Sequence, residues 1–282
     1  MHWQTARSCI DLSRPRVMGI VNVTPDSFSD GGRYFEPSAA IAHAERLVGE
    51  GADMLDIGAE STRPGAQGPD TAEELRRLRP VLRAVLSLGV PVSVDSSDPA
   101  VIREALDCGA DIVNDVRSLT RPGALGAVAA HPNAGLCLMH LRGEPRTMQA
   151  LEPVYADVLA EVRDFLRARL TAALAAGIAA TRIVLDPGIG FAKTPAHNLA
   201  LLRRQRELEV LGRPLLLGWS RKSTLGLLTG RPAQDRLAAS VAAALLAVHQ
   251  GARVVRVHDV AATVDALKVW NATFGPDGEE KT

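Results

Sequence analysis

The chain has 282 residues, of which 46% are hydrophobic and 23% are charged, as expected for a globular protein with a sizeable core. Lysine plus arginine and aspartate plus glutamate both number 32, so the net charge is zero and no global field would attract nucleic acid or an anionic membrane. The three cysteines are too few and too scattered for a disulfide framework or a paired-cysteine metal site.

The apolar segments are short. The longest, at 237–248, is interrupted by Ser240 and cannot span a bilayer, and the first 16 residues contain no apolar core of signal-peptide length. We therefore expect a cytoplasmic protein that has neither a membrane partner nor a nucleic-acid partner.

Eight apolar runs rich in β-branched residues recur along the chain, and a stretch with helical periodicity follows each of them. The runs lie at 17–23, 54–59, 90–94, 111–113, 136–139, 183–185, 215–219 and 254–257. Strands that alternate with helices form parallel βαβ units. Eight such units in a chain of this length predict a single α/β domain, a (β/α)8 TIM barrel. We expect the barrel at 17–272, an N-terminal extension or barrel-closing segment at 1–16, and a flexible tail at 273–282.

Several helix starts are marked by capping residues. Thr71 and Glu74 have the spacing of a capping box for a helix that runs to about Leu88. Asp98 and Thr194 each precede a proline, which predicts an N-cap followed by proline at the first helical position. The Ala-rich stretch at 238–248 is apolar on nearly all sides, so we expect it to be buried against the barrel or a second subunit.

Two connections, at 24–32 and 61–70, are long and rich in turn residues. Both follow predicted strands and would leave the barrel at the end where the strands finish. Loops of this kind in a compact domain are often lids or ligand-binding loops.

Polar residues close the predicted strands, and all strand ends of a parallel barrel face one mouth. Asp95 is not needed to cap the next helix, because Asp98 is placed to do so, and this favours a polar partner elsewhere. Asn114 and Asp186 have an alternative explanation, because Asn and Asp are also common in ordinary turns. Taken together on one rim, the three favour a flat heterocycle rich in hydrogen-bond donors.

A basic set also falls at this rim: Arg63, Arg221, Lys222, Arg256 and His258. Arg256 and His258 alternate along a strand and so share one face. A single cation is most often a solvated surface charge, but several around one mouth indicate a phosphate or diphosphate site. Asn22 would offer Mg²⁺ an oxygen ligand beside such phosphates.

Other chemistries lack their sequence patterns. There is no HxH or HExxH zinc pattern, no GxSxG nucleophile elbow, no GxGxxG fingerprint and no P-loop. A dedicated zinc site, covalent catalysis and a dinucleotide site are therefore disfavoured.

Eight segments in chain order resemble the dihydropteroate synthase family, the pterin-condensing enzymes of folate biosynthesis. They are MGIVNVTPDSFSDGG at 18–32, GAESTRPGA at 58–66, SVDS at 93–96, DIVND at 111–115, MHLRGEPRTMQ at 139–149, LDPGIGFAKT at 185–194, GWSRKS at 218–223 and RVHDV at 256–260. The first is the most specific. Two positions depart from the family pattern: Ser96 stands in place of threonine, and Ala192 in place of a common glycine.

The resemblance implies a Mg²⁺-dependent transferase that joins 6-hydroxymethyl-7,8-dihydropterin diphosphate to 4-aminobenzoate, releasing 7,8-dihydropteroate and diphosphate. It also implies a homodimer and a site for sulfonamides, which mimic 4-aminobenzoate. The residues that it places in catalysis and pterin binding are Asp95, Asn114, Asp186 and Lys222. Those assigned to the diphosphate and its Mg²⁺ are Thr62, Arg63, Arg256, His258 and the metal ligand Asn22. The aminobenzoate pocket would consist of Phe28, Pro64, Phe191, Lys222 and Ser223, with Met139 as a further substrate contact.

Three alternative functions use similar barrels. A pterin-binding methyltransferase that passes a methyl group from methyltetrahydrofolate to a corrinoid protein has no need for a diphosphate site. A relative that has lost catalysis should show broken motifs. An aldolase-type barrel needs a Schiff-base lysine within a strand, whereas Lys222 follows one.

Overall fold

The computed structural model describes residues 1–24, 37–60, 69–143 and 153–275. A two-stranded antiparallel hairpin is followed by eight parallel strands that close into a barrel in the order β10-β3-β4-β5-β6-β7-β8-β9. The strands are β1 His2–Gln4, β2 Cys9–Asp11, β3 Arg16–Asn22, β4 Met54–Gly58, β5 Val92–Asp95, β6 Ile112–Asp115, β7 Gly135–Met139, β8 Ile183–Asp186, β9 Leu215–Leu217 and β10 Ala252–Val257. The predicted (β/α)8 barrel is confirmed.

Helices surround this barrel. Those in the described ranges are α1 Pro37–Gly49, α2 Thr71–Val85, α3 Pro99–Asp107, α4 Ala124–Ala129, α5 Val158–Ala175, α6 Pro195–Arg203, α7 Ser223–Thr229, α8 Leu237–His249 and α9 Val260–Phe274. The buried faces of strands and helices form one large apolar cluster between the two layers. None of the described helices is long and apolar enough to cross a membrane.

The N-terminal hairpin packs against the lower layer of the barrel interior. Trp3 and Leu12 join an apolar cluster with inward-facing strand residues such as Met18 and Cys137. The indole of Trp3 also donates a hydrogen bond to the carbonyl oxygen of Arg182, at 2.9 Å. The lower end of the barrel is therefore filled by side chains, and Cys137 is one of these buried side chains.

Two of the three predicted helix starts are confirmed. Asp98 caps α3 by accepting from the backbone N–H groups of Ala100 and Val101. Thr194 caps α6 in a capping box with His197.

The capping box predicted for α2 is wrong. Asp70, rather than Thr71, is the N-cap, and its carboxylate accepts from the N–H of Glu73 at 2.8 Å. Thr71 instead donates to Asp98, at 2.7 Å, and Glu74 is buried. The helix ends at Val85 rather than Leu88.

The Ala-rich helix is buried against the barrel on one side, which is one of the two predicted arrangements. Ala243, Ala244 and Ala247 are buried in α8, whereas Leu237 and Leu246 on the same helix are about half exposed, at 45% and 54%. An apolar face of α8 is thus accessible in the single chain. Most of the predicted tail, at 276–282, lies outside the described residues.

The burial of Glu74 on α2 can be tested through the titration of its carboxyl group. Its burial raises the pKa of the carboxyl from 4.5 to about 7, opposed by a hydrogen bond with the Ser96 side chain. The folded protein therefore holds a proton that an unfolded glutamate releases, so stability falls as pH rises from about 4.5 to 7. Glu74→Gln removes this loss. We expect its advantage in free energy of unfolding over the wild type to grow by about 3 kcal/mol between pH 4 and pH 8.

Urea denaturation at both pH values measures this difference. The matched control is Glu73→Gln on the same turn, where hydrogen bonds from Arg76 lower the pKa of the carboxyl to about 2. The free energy of unfolding of Glu73→Gln, relative to that of the wild type, should fall as pH rises, which is the opposite of the change expected for Glu74→Gln. A Glu74→Gln effect that does not change with pH would contradict the buried carboxyl.

Candidate active site

Polar side chains collect at the carboxyl ends of the barrel strands. Asp56 lies on β4, Asp95 ends β5, Asn114 lies on β6, Asp186 ends β8 and Arg256 lies on β10. Neighbouring strands are in register there: Gly58 pairs with Asp95, and Asp95 with Asn114. Residues up to two hundred positions apart thus meet at one mouth, as the strand pattern predicts.

Arg256 is the centre of the first group. Its Nε donates to Asp56 Oδ2 at 2.6 Å, and its Nη2 donates to Asp95 Oδ2 at 3.0 Å. Asn114 Nδ2 donates to the same oxygen of Asp56, at 3.1 Å. Arg256, which is predicted to bind diphosphate, thus shares its guanidinium between two carboxylates in this structure.

The charges of this group depend on one another. Burial raises the pKa of Asp95, whereas Arg256 lowers it and Asp56 raises it further. Burial by itself lowers the pKa of Arg256, but Asp56 and Asp95 raise it by more, so the guanidinium stays charged. The mouth therefore contains a fixed positive charge between two carboxylates.

Asp56 is a site residue that sequence reasoning missed. Its side chain is fully buried, and its Oδ1 has no hydrogen-bond partner among the described residues. The signal was present: Asp56 is the one charged residue inside an otherwise apolar strand, and a buried charge needs a partner.

Asp186 is held at the start of a tight turn between β8 and α6. The N–H of Gly188 donates to Asp186 Oδ1 at 2.7 Å, and the N–H of His140 donates to the Asp186 carbonyl at 2.9 Å. Burial raises the pKa of Asp186, and Lys222 opposes that change. Gly188 has φ +70°, and a Cβ there would lie 1.9 Å from the carbonyl oxygen of His140. Only glycine allows this close approach.

Lys222 connects Asp186 to an aromatic wall. Its Nζ donates to the carbonyl of Ile189 and lies 4.8 Å from the centre of the Phe191 ring. Burial lowers the pKa of Lys222 to about 8, against the opposing attraction of Asp186. Phe191 packs in turn on a small apolar cluster that includes Met139. Ser223 begins α7 immediately after Lys222.

The remaining predicted cations are arranged differently from one another. Arg221 forms an ion pair with Asp259, with Nε 3.0 Å from Oδ2. His258 lies just beyond β10 rather than on it, and its Nδ1 is 3.0 Å from the hydroxyl of Ser220. Asn22 ends β3 and is partly buried.

Four predicted residues cannot be placed, because Phe28, Thr62, Arg63 and Pro64 lie outside the described residues. Within the described ranges, no group of three or more His, Cys, Asp or Glu side chains could hold a metal ion. Asn22 is thus the single predicted metal ligand that the structure describes.

Comparison with known proteins gives consistent matches. Residues 18–258 match the family described as pterin binding enzyme. The chain is 52% identical over 276 residues to the dihydropteroate synthase of Neisseria meningitidis serogroup B, with 96% of each chain covered. It also resembles the solved structure of Xanthomonas albilineans dihydropteroate synthase with 4-aminobenzoic acid, with a TM-score of 0.91 and 51% identity over 96% of this chain and 97% of that chain. A second similar structure is Burkholderia cenocepacia dihydropteroate synthase complexed with 7,8-dihydropteroate, with a TM-score of 0.90 and 49% identity over 99% of this chain and 98% of that chain.

The close approach at Gly188 can be tested against a glycine with nearly the same backbone. Gly230 has φ +68° and nothing within 4 Å of a built Cβ. Gly230→Ala should destabilise the fold by about 1–2 kcal/mol, the strain of a left-handed L-residue. Gly188→Ala should cost about 1–3 kcal/mol more, because it must also displace the carbonyl of His140. Urea denaturation of both variants measures the difference, and equal losses would contradict the contact.

Proposed function

The chain belongs to the pterin-binding enzyme family, and we propose that its barrel mouth joins 6-hydroxymethyl-7,8-dihydropterin diphosphate to 4-aminobenzoate, giving 7,8-dihydropteroate and diphosphate. It is a transferase of the dihydropteroate synthase group, whose reaction belongs to tetrahydrofolate biosynthesis. The observation that carries the assignment is the convergence of Asp95, Asn114, Asp186, Lys222 and Arg256 at one mouth. The corrinoid methyltransferase alternative is not favoured, because relatives that are 52% and 48% identical over 96% and 94% of this chain are dihydropteroate synthases.

The carboxylate and amide groups would bind the pterin. A pterin edge offers its 2-amino group and a ring N–H as adjacent donors, and an ionised carboxylate such as Asp186 can accept both. Hydrogen bonds to a charged group contribute roughly 1.5–3 kcal/mol each. Asp95 and Asn114 would contact other polar atoms of the heterocycle. A ring without those donors would leave buried acceptors unpaired and would be rejected.

The arylamine would lie against Phe191, with Lys222 beside the ring and Ser223 at the start of α7. The 4.8 Å between Lys222 Nζ and the Phe191 ring places a cation at this wall. An arylamine is already nucleophilic, so its attack on the methylene carbon needs no strong general base. Phe28 and Pro64 would complete this pocket from outside the described residues. Sulfonamides would compete for it because they mimic 4-aminobenzoate.

Arg256 and His258 would stabilise the diphosphate as the C–O bond breaks and negative charge collects on the leaving oxygen. A guanidinium has five N–H donors, and Asp56 and Asp95 accept from only two of them. The others could reach a substrate without breaking the carboxylate contacts. Thr62 and Arg63 would add contacts from the second long loop.

The donor set fits Mg²⁺ held together with the substrate. Mg²⁺ usually binds through one or two protein oxygens, several waters and substrate phosphates. Asn22 supplies such an oxygen at the end of β3, and the described side chains include no all-protein cage that would suit another metal. When bound, Mg²⁺ would neutralise charge on the diphosphate.

A second copy of this chain is the proposed partner. Leu227 and Leu228 on α7, Leu237 and Leu246 on α8, and Val269 on α9 are all exposed, and α8 packs against both of the other helices. A set of exposed leucines on adjacent helices is typical of an interface. A homodimer in the cytoplasm would cover it.

Activity is tested directly by incubating the protein with the pterin diphosphate, Mg²⁺ and 4-aminobenzoate and measuring dihydropteroate by chromatography. Product should form only when all substrates are present. Omitting 4-aminobenzoate is the control for spontaneous hydrolysis of the diphosphate. Absence of product under these conditions would reject the proposal.

Calorimetry can measure separately how the pterin contacts and the diphosphate contacts contribute to binding affinity. Asp186→Asn replaces an acceptor with an amide that presents donors to the pterin donors, so affinity should fall at least about 100-fold. Arg256→Ala should weaken binding of the diphosphate substrate more than binding of the pterin without diphosphate. The matched controls are Asp164→Asn on the surface and Arg253→Ala at the other end of β10. Unchanged affinity in Asp186→Asn or Arg256→Ala would contradict its role.

A further inference from the structure

The turn between β8 and α6, at 187–193, is held through its backbone carbonyls. The ammonium of Lys193 donates to the carbonyls of Gly188 and Phe191, at 2.9 Å and 3.0 Å. Lys222 donates to Ile189, and the hydroxyl of Tyr155 donates to Ala192 at 2.9 Å. Four carbonyl groups of one short turn therefore accept bonds from side chains.

Lys193 makes the largest contribution to this arrangement. Its side chain is buried, and its third bond goes to His140 Nδ1 at 2.9 Å. A lysine ammonium has three donors, so each has an acceptor here. Burial lowers the pKa of His140 to about 2, which keeps the imidazole neutral and able to accept. His140 is itself fixed by an edge-on contact with Phe165, whose ring centre is 5.0 Å away.

The turn needs such support because one of its residues is strained. Ala192 has φ +47° although it is not glycine, whereas Gly188 and Gly190 adopt φ +70° and +81° without that cost. Backbone conformations of this kind persist only when surrounding contacts determine them. The bonds from Lys193 and Tyr155 are those contacts.

The two ligand-facing residues of this region are anchored differently. Asp186 belongs to β8, pairs with Met139 on β7, and its carbonyl accepts from the N–H of His140. Phe191 lies beyond the strand, and its carbonyl accepts from Lys193. The turn contributes one bond to the Asp186 carboxylate, from the N–H of Gly188 to Oδ1. Loss of the Lys193 ammonium should therefore displace Phe191 more than Asp186, whose backbone is held by the strands.

We propose that Lys193 is a positioning residue for the arylamine, which fixes the Phe191 wall of the pocket without touching either substrate. The proposal rests on the function proposed above, because it takes Phe191 as part of the 4-aminobenzoate pocket. It predicts that binding of the arylamine depends on Lys193, whereas binding of the pterin depends mainly on residues held by the barrel strands.

The test is Lys193→Met, which keeps the length of the side chain and removes its donors. The KM for 4-aminobenzoate should rise about tenfold with kcat little changed, the pattern expected when the ground state and the transition state lose the same binding contact. Calorimetry should show the affinity for the pterin diphosphate within about twofold of the wild type, since Asp186 keeps its strand contacts. Lys268→Met, at an exposed lysine paired with Asp265, is the matched control and should change neither value. An unchanged KM, or an equal loss for both substrates, would overturn the proposal.

A milder variant covers the case in which Lys193→Met fails to fold. Tyr155→Phe removes the bond to Ala192 and keeps the ring, so it should raise the same KM by a smaller factor and leave pterin affinity unchanged. Amide hydrogen exchange gives a readout that does not depend on activity. The Phe191 N–H, which donates to Gly188, should exchange faster in either variant. If the wild type makes no dihydropteroate the proposed function fails, whereas unchanged exchange at Phe191 rejects the role of Lys193.

Discussion

The barrel mouth depends on one guanidinium shared between two carboxylates. Asp56 and Asp95 come from adjacent strands and are buried or nearly so, and two such charges in a poorly solvated site repel each other. Arg256, from a third strand, makes their proximity tolerable, and Asn114 adds a donor to Asp56. Removing one partner from such a group leaves an uncompensated buried charge, which costs about 3–5 kcal/mol. The site is therefore arranged before any substrate arrives, and substrate donors meet acceptors that are already oriented.

The second half of the site is built on a different principle. Asp186 is carried by a strand, but the aromatic wall beside it is carried by a short turn whose carbonyls are held by lysine and tyrosine side chains. Gly188 allows the turn to pass within contact distance of His140, and Lys222 lies between the strand residue and the wall. The acceptor Asp186 is thus held by the barrel strands, whereas the position of the Phe191 wall depends on the hydrogen bonds to its turn.

The fold could be predicted from the sequence because eight apolar runs of strand length alternate with helical periodicity, a pattern that leaves few alternatives. The rim followed from the same pattern, since strand ends in a parallel barrel must converge, and Asp95, Asn114 and Arg256 do meet. Local detail was harder. The N-cap of α2 differs by one residue because Asp70 and Thr71 are both good caps and only tertiary contacts with Asp98 decide between them. Asp56 was overlooked because its local signal, one charge inside an apolar strand, indicates that a partner is needed but does not identify an arginine two hundred positions away.

The N-terminal hairpin has a consequence for how the chain reaches its final state. Trp3 bonds to Arg182, 179 positions along the chain, and Arg7 forms an ion pair with Asp111, 104 positions away. The bond of Trp3 therefore cannot form until residue 182 has been synthesised, and the ion pair of Arg7 cannot form until residue 111 has been synthesised. Closing such long loops is slow compared with local helix formation. The contacts of the hairpin with the barrel are thus long-range, so removal of the leading segment would take away the packing at the lower end of the barrel and leave the local helices and strand pairs intact.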